Sequence, residues 1–105
     1  MDFKEMASNI GLEEEEFVEL LEMLVDVSIT DLINFETEFS AGNYIEAAMA
    51  AHSIKGASGN LGLTDISTAA AELEKAAKNS NQSLISEKIS FLKSQFKIIK
   101  EALKR

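Results

Sequence analysis

The sequence predicts an all-α protein, an antiparallel four-helix bundle with a short additional N-terminal helix. The chain has no proline and only five glycines in 105 residues, so little in it opposes long helices. Apolar residues recur at intervals of three and four along successive segments, which is the helical period. No segment shows the convincing pattern of a strand. At this length we expect one domain spanning residues 1–105 around a single core.

The first two helices are predicted from their apolar spacing and from their ends. Residues 2–10 form a short amphipathic helix, for which Gly11 is a plausible stop. A long helix over residues 13–40 opens on four consecutive glutamates, whose charges the helix dipole stabilises there. The β-branched side chains in Val25–Thr30 allow a bend or a break. Gly42 is the expected left-handed cap at the end of this helix.

Three further helices follow in the sequence. Asn43 and Glu46 have the spacing of a capping box, which starts the third helix at Tyr44 and carries it to about residue 60. Thr64 is the expected cap of the fourth helix, which has an uninterrupted apolar stripe. The last helix begins at about Ser83 and places apolar residues at alternating spacings of four and three, which suits packing along near-antiparallel neighbours.

The charge is unevenly distributed along an acidic chain. The net charge is −8, yet residues 1–51 carry 13 acidic and one basic side chain, and residues 52–105 carry five acidic and nine basic ones. An acidic chain is a poor candidate for binding nucleic acid. No apolar run reaches the length that spans a bilayer, no signal peptide is recognisable, and cysteine is absent. We therefore expect a cytoplasmic, monomeric protein that binds neither nucleic acid nor membrane.

The single histidine of the chain, His52, is the strongest candidate for a functional residue. At about 100° per residue, an apolar set including Ala47, Ile54 and Leu61 lies on the side of the third helix opposite His52. The imidazole is therefore predicted to point away from the core. An ordinary solvated histidine is the simplest alternative, and the neighbouring residues argue against it.

The face of the helix that carries His52 is unusually apolar for a solvated surface. Exposed apolar patches rimmed by polar groups mark partner sites, so we interpret this face as a docking surface, although the short first helix could cover part of it. The residues assigned to the partner are Ile45, Ala48, Met49 and Gly59.

Two residues one turn beyond His52 suit the transfer of an anionic group. Lys55 places a cation on the same face, and Gly56 leaves room for a partner. A neutral imidazole is a nucleophile, and a phosphoryl group on it would carry roughly two negative charges that need such support. The pattern fits neither a di-iron site, nor a serine–histidine pair, nor a phosphate-binding loop. We expect no catalytic machinery beyond these residues.

The run His52-Ser53-Ile54-Lys55-Gly56, with Leu61-Gly62 after it, resembles the signature of histidine-containing phosphotransfer (HPt) domains of multistep phosphorelays. Ala51 and the later Leu73-Glu74 also look like that family. The resemblance implies that His52 accepts a phosphoryl group from an aspartate of a receiver domain and passes it to another receiver. It further implies that Lys55 steadies that group and that Gly56 admits the receiver.

The resemblance also implies which groups the partner supplies. No cofactor or metal is expected here, and the magnesium ion used in transfer belongs to the receiver domain. The residue that holds the inner nitrogen of His52 is left open. Two alternatives remain: the phosphoacceptor domain of a chemotaxis-type histidine kinase, and a helical adaptor that binds protein without being phosphorylated.

Overall fold

Five helices account for most of the chain, and the bounds of each lie close to those predicted. The computed structural model describes residues 1–105 and contains no strand. The helices are α1 (Phe3–Asn9), α2 (Glu14–Ser40), α3 (Tyr44–Asn60), α4 (Thr64–Lys78) and α5 (Gln82–Leu103). The predicted all-α class is confirmed.

Helices α2 to α5 close into a four-helix bundle, and α1 packs against α2. Each helix of the bundle contacts the next along the chain, and α2 also contacts α5. The α3–α4 seam is the most closely packed and the α2–α5 seam the least. The longest dimension is 42 Å, close to the roughly 40 Å expected for the 27 residues of α2. Because the four helices contact one another in the cyclic order α2, α3, α4, α5, the α3–α4 and α2–α5 seams lie on opposite sides of the bundle.

A single apolar core joins all five helices. Its largest buried side chains are Phe17 and Phe35 from α2 and Phe96 from α5, each no more than 1 % exposed. Helices α3 and α4 contribute mainly small residues, seven buried alanines between them. Small side chains let two helix backbones approach closely, which accounts for the tight α3–α4 seam.

Two predicted helix caps are wrong, although the helices begin where expected. The Asn43 side chain does not cap α3, because its amide donates to Glu38 Oε2 at 3.0 Å instead. Thr64 is the first residue of α4 rather than its cap, a position taken by Leu63. Burial of Leu63, which is 8 % exposed, fixes the start of that helix in place of a polar cap.

The break allowed within Val25–Thr30 does not occur, and α2 is continuous. The Thr30 hydroxyl donates to the carbonyl of Asp26 at 3.2 Å, the i−4 bond by which threonine is accommodated in a helix. Gly42 adopts the expected left-handed conformation with φ +83°. None of the five helices combines the length and apolar character needed to cross a bilayer.

Candidate functional site

The imidazole of His52 projects from the middle of α3, as predicted. Its side chain is 65 % exposed, whereas Ala51 and Ile54 on the same helix are completely buried. The alanine and isoleucine hold α3 against the core, so the helix presents the ring to solvent. A partner can therefore reach His52 without any rearrangement of the bundle.

A carboxylate from the neighbouring helix holds one nitrogen of this ring. Glu74 Oε1 on α4 lies 3.2 Å from His52 Nδ1, and the Glu74 side chain is only 18 % exposed. A carboxylate accepts a hydrogen bond, so this contact places the ring proton on Nδ1 and leaves the Nε2 lone pair free. Glu74 is thus the orienting residue that the sequence did not allow us to choose.

Two lysines surround the same carboxylate. Lys55 Nζ lies 3.9 Å from Glu74 Oε1, the oxygen that contacts His52, and Lys78 Nζ lies 3.5 Å from Oε2. Both lysine side chains remain substantially exposed. With one carboxylate and two ammonium groups, the surroundings of the ring carry a surplus of positive charge on an otherwise acidic protein. Such surroundings favour an anionic group on Nε2.

The pKa of the Glu74 carboxyl reflects these contacts. Burial raises this pKa, but the hydrogen bond to His52 and the charges of His52, Lys78 and Lys55 outweigh burial, so the pKa is held below its ordinary value. Glu74 is therefore ionised wherever the protein is folded near neutral pH. It can balance positive charge that develops on the ring.

Gly56 has no structural partner within the chain. A Cβ built at this position meets no atom within 4 Å, and the residue lies on the exposed side of α3. Glycine inside a helix costs about 1 kcal/mol relative to alanine. Because the fold does not require glycine at this position, the open space over Gly56 indicates that a partner molecule approaches α3 there.

Gly59 was assigned to the docking surface, but its immediate contact is internal. A Cβ at position 59 would lie 3.3 Å from Ser67 Oγ on α4. The Ser67 hydroxyl in turn donates to the carbonyl of Lys55 at 2.9 Å. Gly59 follows His52 by about two turns and Ser67 precedes Glu74 by the same distance. In antiparallel helices, the Gly59–Ser67 contact therefore fixes the register that places Glu74 beside His52.

The rest of the predicted docking surface divides into exposed and buried residues. Ile45 is 71 % exposed and Met49 is 65 % exposed, so α1 does not cover them. Ala48 is only 2 % exposed, and its assignment to an exposed surface is wrong. Helix phase takes no account of how closely the neighbouring helices pack, and in the packed bundle Ala48 is covered.

A second apolar surface near the site was not recognised in the sequence. Leu20, Met23 and Val27 on α2 are 42 %, 63 % and 53 % exposed. With the end of α3 they line a cavity of about 470 Å³, which we call the α2–α3 groove. Asn60, two turns beyond His52, lies on its edge.

No group of three or more histidine, cysteine, aspartate or glutamate side chains is placed to hold a metal ion.

Alanine at the two helical glycines should separate their roles. Gly56→Ala should raise the free energy of unfolding by up to about 1 kcal/mol, because the methyl group enters open space and the helix gains propensity. Gly59→Ala should gain less, because its methyl group meets Ser67 and the position lies in the last turn of α3. Urea unfolding of both variants measures the difference, and an equal or larger gain at position 59 would contradict the register role.

Replacing Glu74 by glutamine should change the dependence of stability on pH. Because the pKa is lower in the folded chain, the ionised carboxylate stabilises the fold above its ordinary pKa of 4.5, and that contribution disappears as pH falls through the folded value. The gap in unfolding free energy between the wild type and Glu74→Gln should therefore shrink on acidification. Urea unfolding from pH 7 to about pH 3 measures it. Glu19→Gln, an exposed carboxylate without an ion pair, is the control; a gap at Glu74 that follows this control contradicts the proposed contacts.

Comparison with protein-family models gives a match over residues 19–104 to the model described as Hpt domain. Comparison with curated proteins and with solved structures gives no match. The matched range contains α3, α4 and α5 and nearly all of α2, and therefore His52, Lys55, Gly56 and Glu74. The chain belongs to the Hpt domain family.

Proposed function

We propose that the protein is a phosphohistidine carrier in which His52 Nε2 accepts a phosphoryl group from a receiver-domain aspartate and returns it to a second receiver. Hpt domains are phosphocarriers that work with receiver domains in phosphorelays. The observation that carries the assignment to His52 is its geometry: a 65 % exposed imidazole whose Nδ1 is held by Glu74 at 3.2 Å.

The transfer step can be written on these atoms. The Nε2 lone pair forms the new bond to phosphorus as the bond between phosphorus and the aspartyl oxygen breaks, and that electron pair returns to the aspartate as carboxylate. The ring keeps its proton on Nδ1 and gains positive charge, which the Glu74 carboxylate stabilises through the existing hydrogen bond. Transfer to the second receiver is the reverse of this step.

Lys55 has a role on each side of the transfer. Before transfer it lies 3.9 Å from the Glu74 oxygen that contacts the ring. After transfer the phosphoryl group on Nε2 offers a stronger anion within reach of the flexible side chain, and Lys55 moves to it. Lys78, four residues after Glu74 on the same helix, stays on the other oxygen and keeps the carboxylate neutralised.

The receiver would dock on the exposed face of α3. Gly56 gives its backbone close access one turn from His52, and Ile45 and Met49 supply apolar contact toward the start of the helix. The α2–α3 groove adds apolar surface toward the other end. We place the magnesium ion that assists phosphoryl transfer on the receiver. We further propose that the chain is cytoplasmic, and that it acts as a monomer because this face must remain open.

His52→Gln should abolish phosphorylation while leaving the fold intact. Phosphoramidate, a small phosphodonor, tests the nucleophile without a partner, and a phosphorylated receiver domain tests the complete reaction. Acid-labile phosphate on the intact chain, followed by mass spectrometry, should fall at least about a hundredfold with both donors because glutamine offers no lone pair of comparable nucleophilicity. Unchanged helical circular dichroism is the control for folding. Phosphate retained on the variant would refute the proposal, and receiver binding without any phosphorylation of the wild type would identify an adaptor.

Gly56→Gln should separate docking from chemistry. Its side chain fills the open space beside the ring, so transfer from a phosphorylated receiver should slow at least about tenfold, equivalent to roughly 1.4 kcal/mol. Labelling by phosphoramidate should change little, because that donor is small enough to reach Nε2. Gly56→Ala provides a matched intermediate. Equal transfer rates for the wild type and Gly56→Gln would show that the receiver does not approach over this glycine.

A further inference from the structure

The α2–α5 seam, on the side of the bundle opposite His52, carries a groove that the proposed phosphotransfer does not use. The two helices pack least closely here and leave a cavity of about 440 Å³, which we call the α2–α5 groove. Ile29 and Ile33 of α2 form its apolar side; Ile29 is partly buried and Ile33 is 58 % exposed. An isoleucine this exposed beside an open seam is a surface to which an apolar side chain can bind.

A row of lysines forms the other side of this groove. Lys93, Lys97, Lys100 and Lys104 follow one another on α5 at spacings of four, three and four, so they share one face of the helix. All four are exposed, and the row extends over about 16 Å.

Most of the positive charge of this row is not neutralised within the chain. Lys93 pairs across the seam with Glu36 at 3.0 Å, whereas Lys97, Lys100 and Lys104 have no acidic group within 4.0 Å. Besides Glu36, the only acidic residue lining the groove is Glu101. This concentration of unpaired positive charge is found on a chain whose net charge is −8. If this face of α5 were only solvated, nothing in an acidic chain would favour three unpaired lysines next to an exposed isoleucine.

We propose that the α2–α5 groove binds an acidic amphipathic helix of another protein. Carboxylates spaced three and four residues apart on that helix match the spacing of Lys97, Lys100 and Lys104 when the helix lies along α5. Its apolar side chains would then contact Ile29 and Ile33. An anionic membrane fits less well, because the remaining surface of the chain is strongly acidic and would be repelled.

The position of the groove makes this binding compatible with phosphotransfer. His52 and Glu74 lie at the α3–α4 seam, on the side of the bundle opposite the α2–α5 seam. A helix bound in the groove would leave the imidazole free. The proposal does not rest on the phosphocarrier function, and either can fail without the other.

A designed peptide tests the groove in the full-length protein. The probe is a synthetic helix of about 18 residues, or five turns, with glutamates on one face and leucines beside them; a peptide of the same composition in permuted order is its control. Fluorescence anisotropy should show the patterned peptide binding at least about tenfold more tightly than the permuted one. Binding should weaken as salt is raised, because exposed charges are screened.

Charge reversal in the groove should weaken the binding selectively. Lys97→Glu with Lys100→Glu should weaken binding of the patterned peptide at least about tenfold, since two attractive pairs become repulsive. Lys4→Glu with Lys75→Glu makes the same change in net charge at exposed lysines elsewhere and should have less than about a threefold effect. Ile33→Ser should also weaken binding, and circular dichroism checks that each variant folds.

Four outcomes would overturn the proposal. Equal binding of both peptides, or equal effects of the two double variants, would show nonspecific attraction. Lysine-dependent binding to phosphatidylserine vesicles without discrimination between the peptides would indicate a membrane surface. Concentration-dependent dimers that the groove variant alone disrupts would indicate a second copy of the chain.

Discussion

The close approach of α3 to α4 is the constraint on which the site depends. Buried alanines on both helices, together with Gly59, allow the backbones to come near enough for the Ser67 hydroxyl to reach the Lys55 carbonyl at 2.9 Å. A slip of one turn between these helices would move the carboxylate of Glu74 about 5.4 Å along the axis and away from the imidazole. The contact between Glu74 and His52 is therefore a consequence of packing two turns away from it.

The pattern of apolar residues in the sequence was sufficient to predict the helices and the exposed position of His52. The helical period relates residues that are close together in the chain, so it can be recognised in a single sequence. Glu74 could not be chosen in this way, because it lies 22 residues from His52 in the sequence and their contact depends on the register between two helices. The spacing of Gly59 and Ser67 holds that register, but their pairing becomes recognisable only once the helices are packed.

The errors at the surface have a related origin. Helix phase assigns a residue to one side of a cylinder, whereas burial depends on how many neighbours cover it. Ala48 is 2 % exposed although helix phase places it on the His52 face, whereas Ile33 is 58 % exposed beside the loosely packed α2–α5 seam. Unequal packing of the four seams also leaves apolar grooves where the seams are open.

The placement of the two seams on opposite sides of the bundle has a consequence for kinetics. A partner held in the α2–α5 groove would remain near the carrier between successive encounters at His52. If a receiver is tethered to that partner, its encounter with the imidazole becomes intramolecular, at an effective concentration that short flexible linkers set in the millimolar range. Selectivity among competing receivers would then be governed by tether length and geometry rather than by intrinsic affinity for the α3 surface.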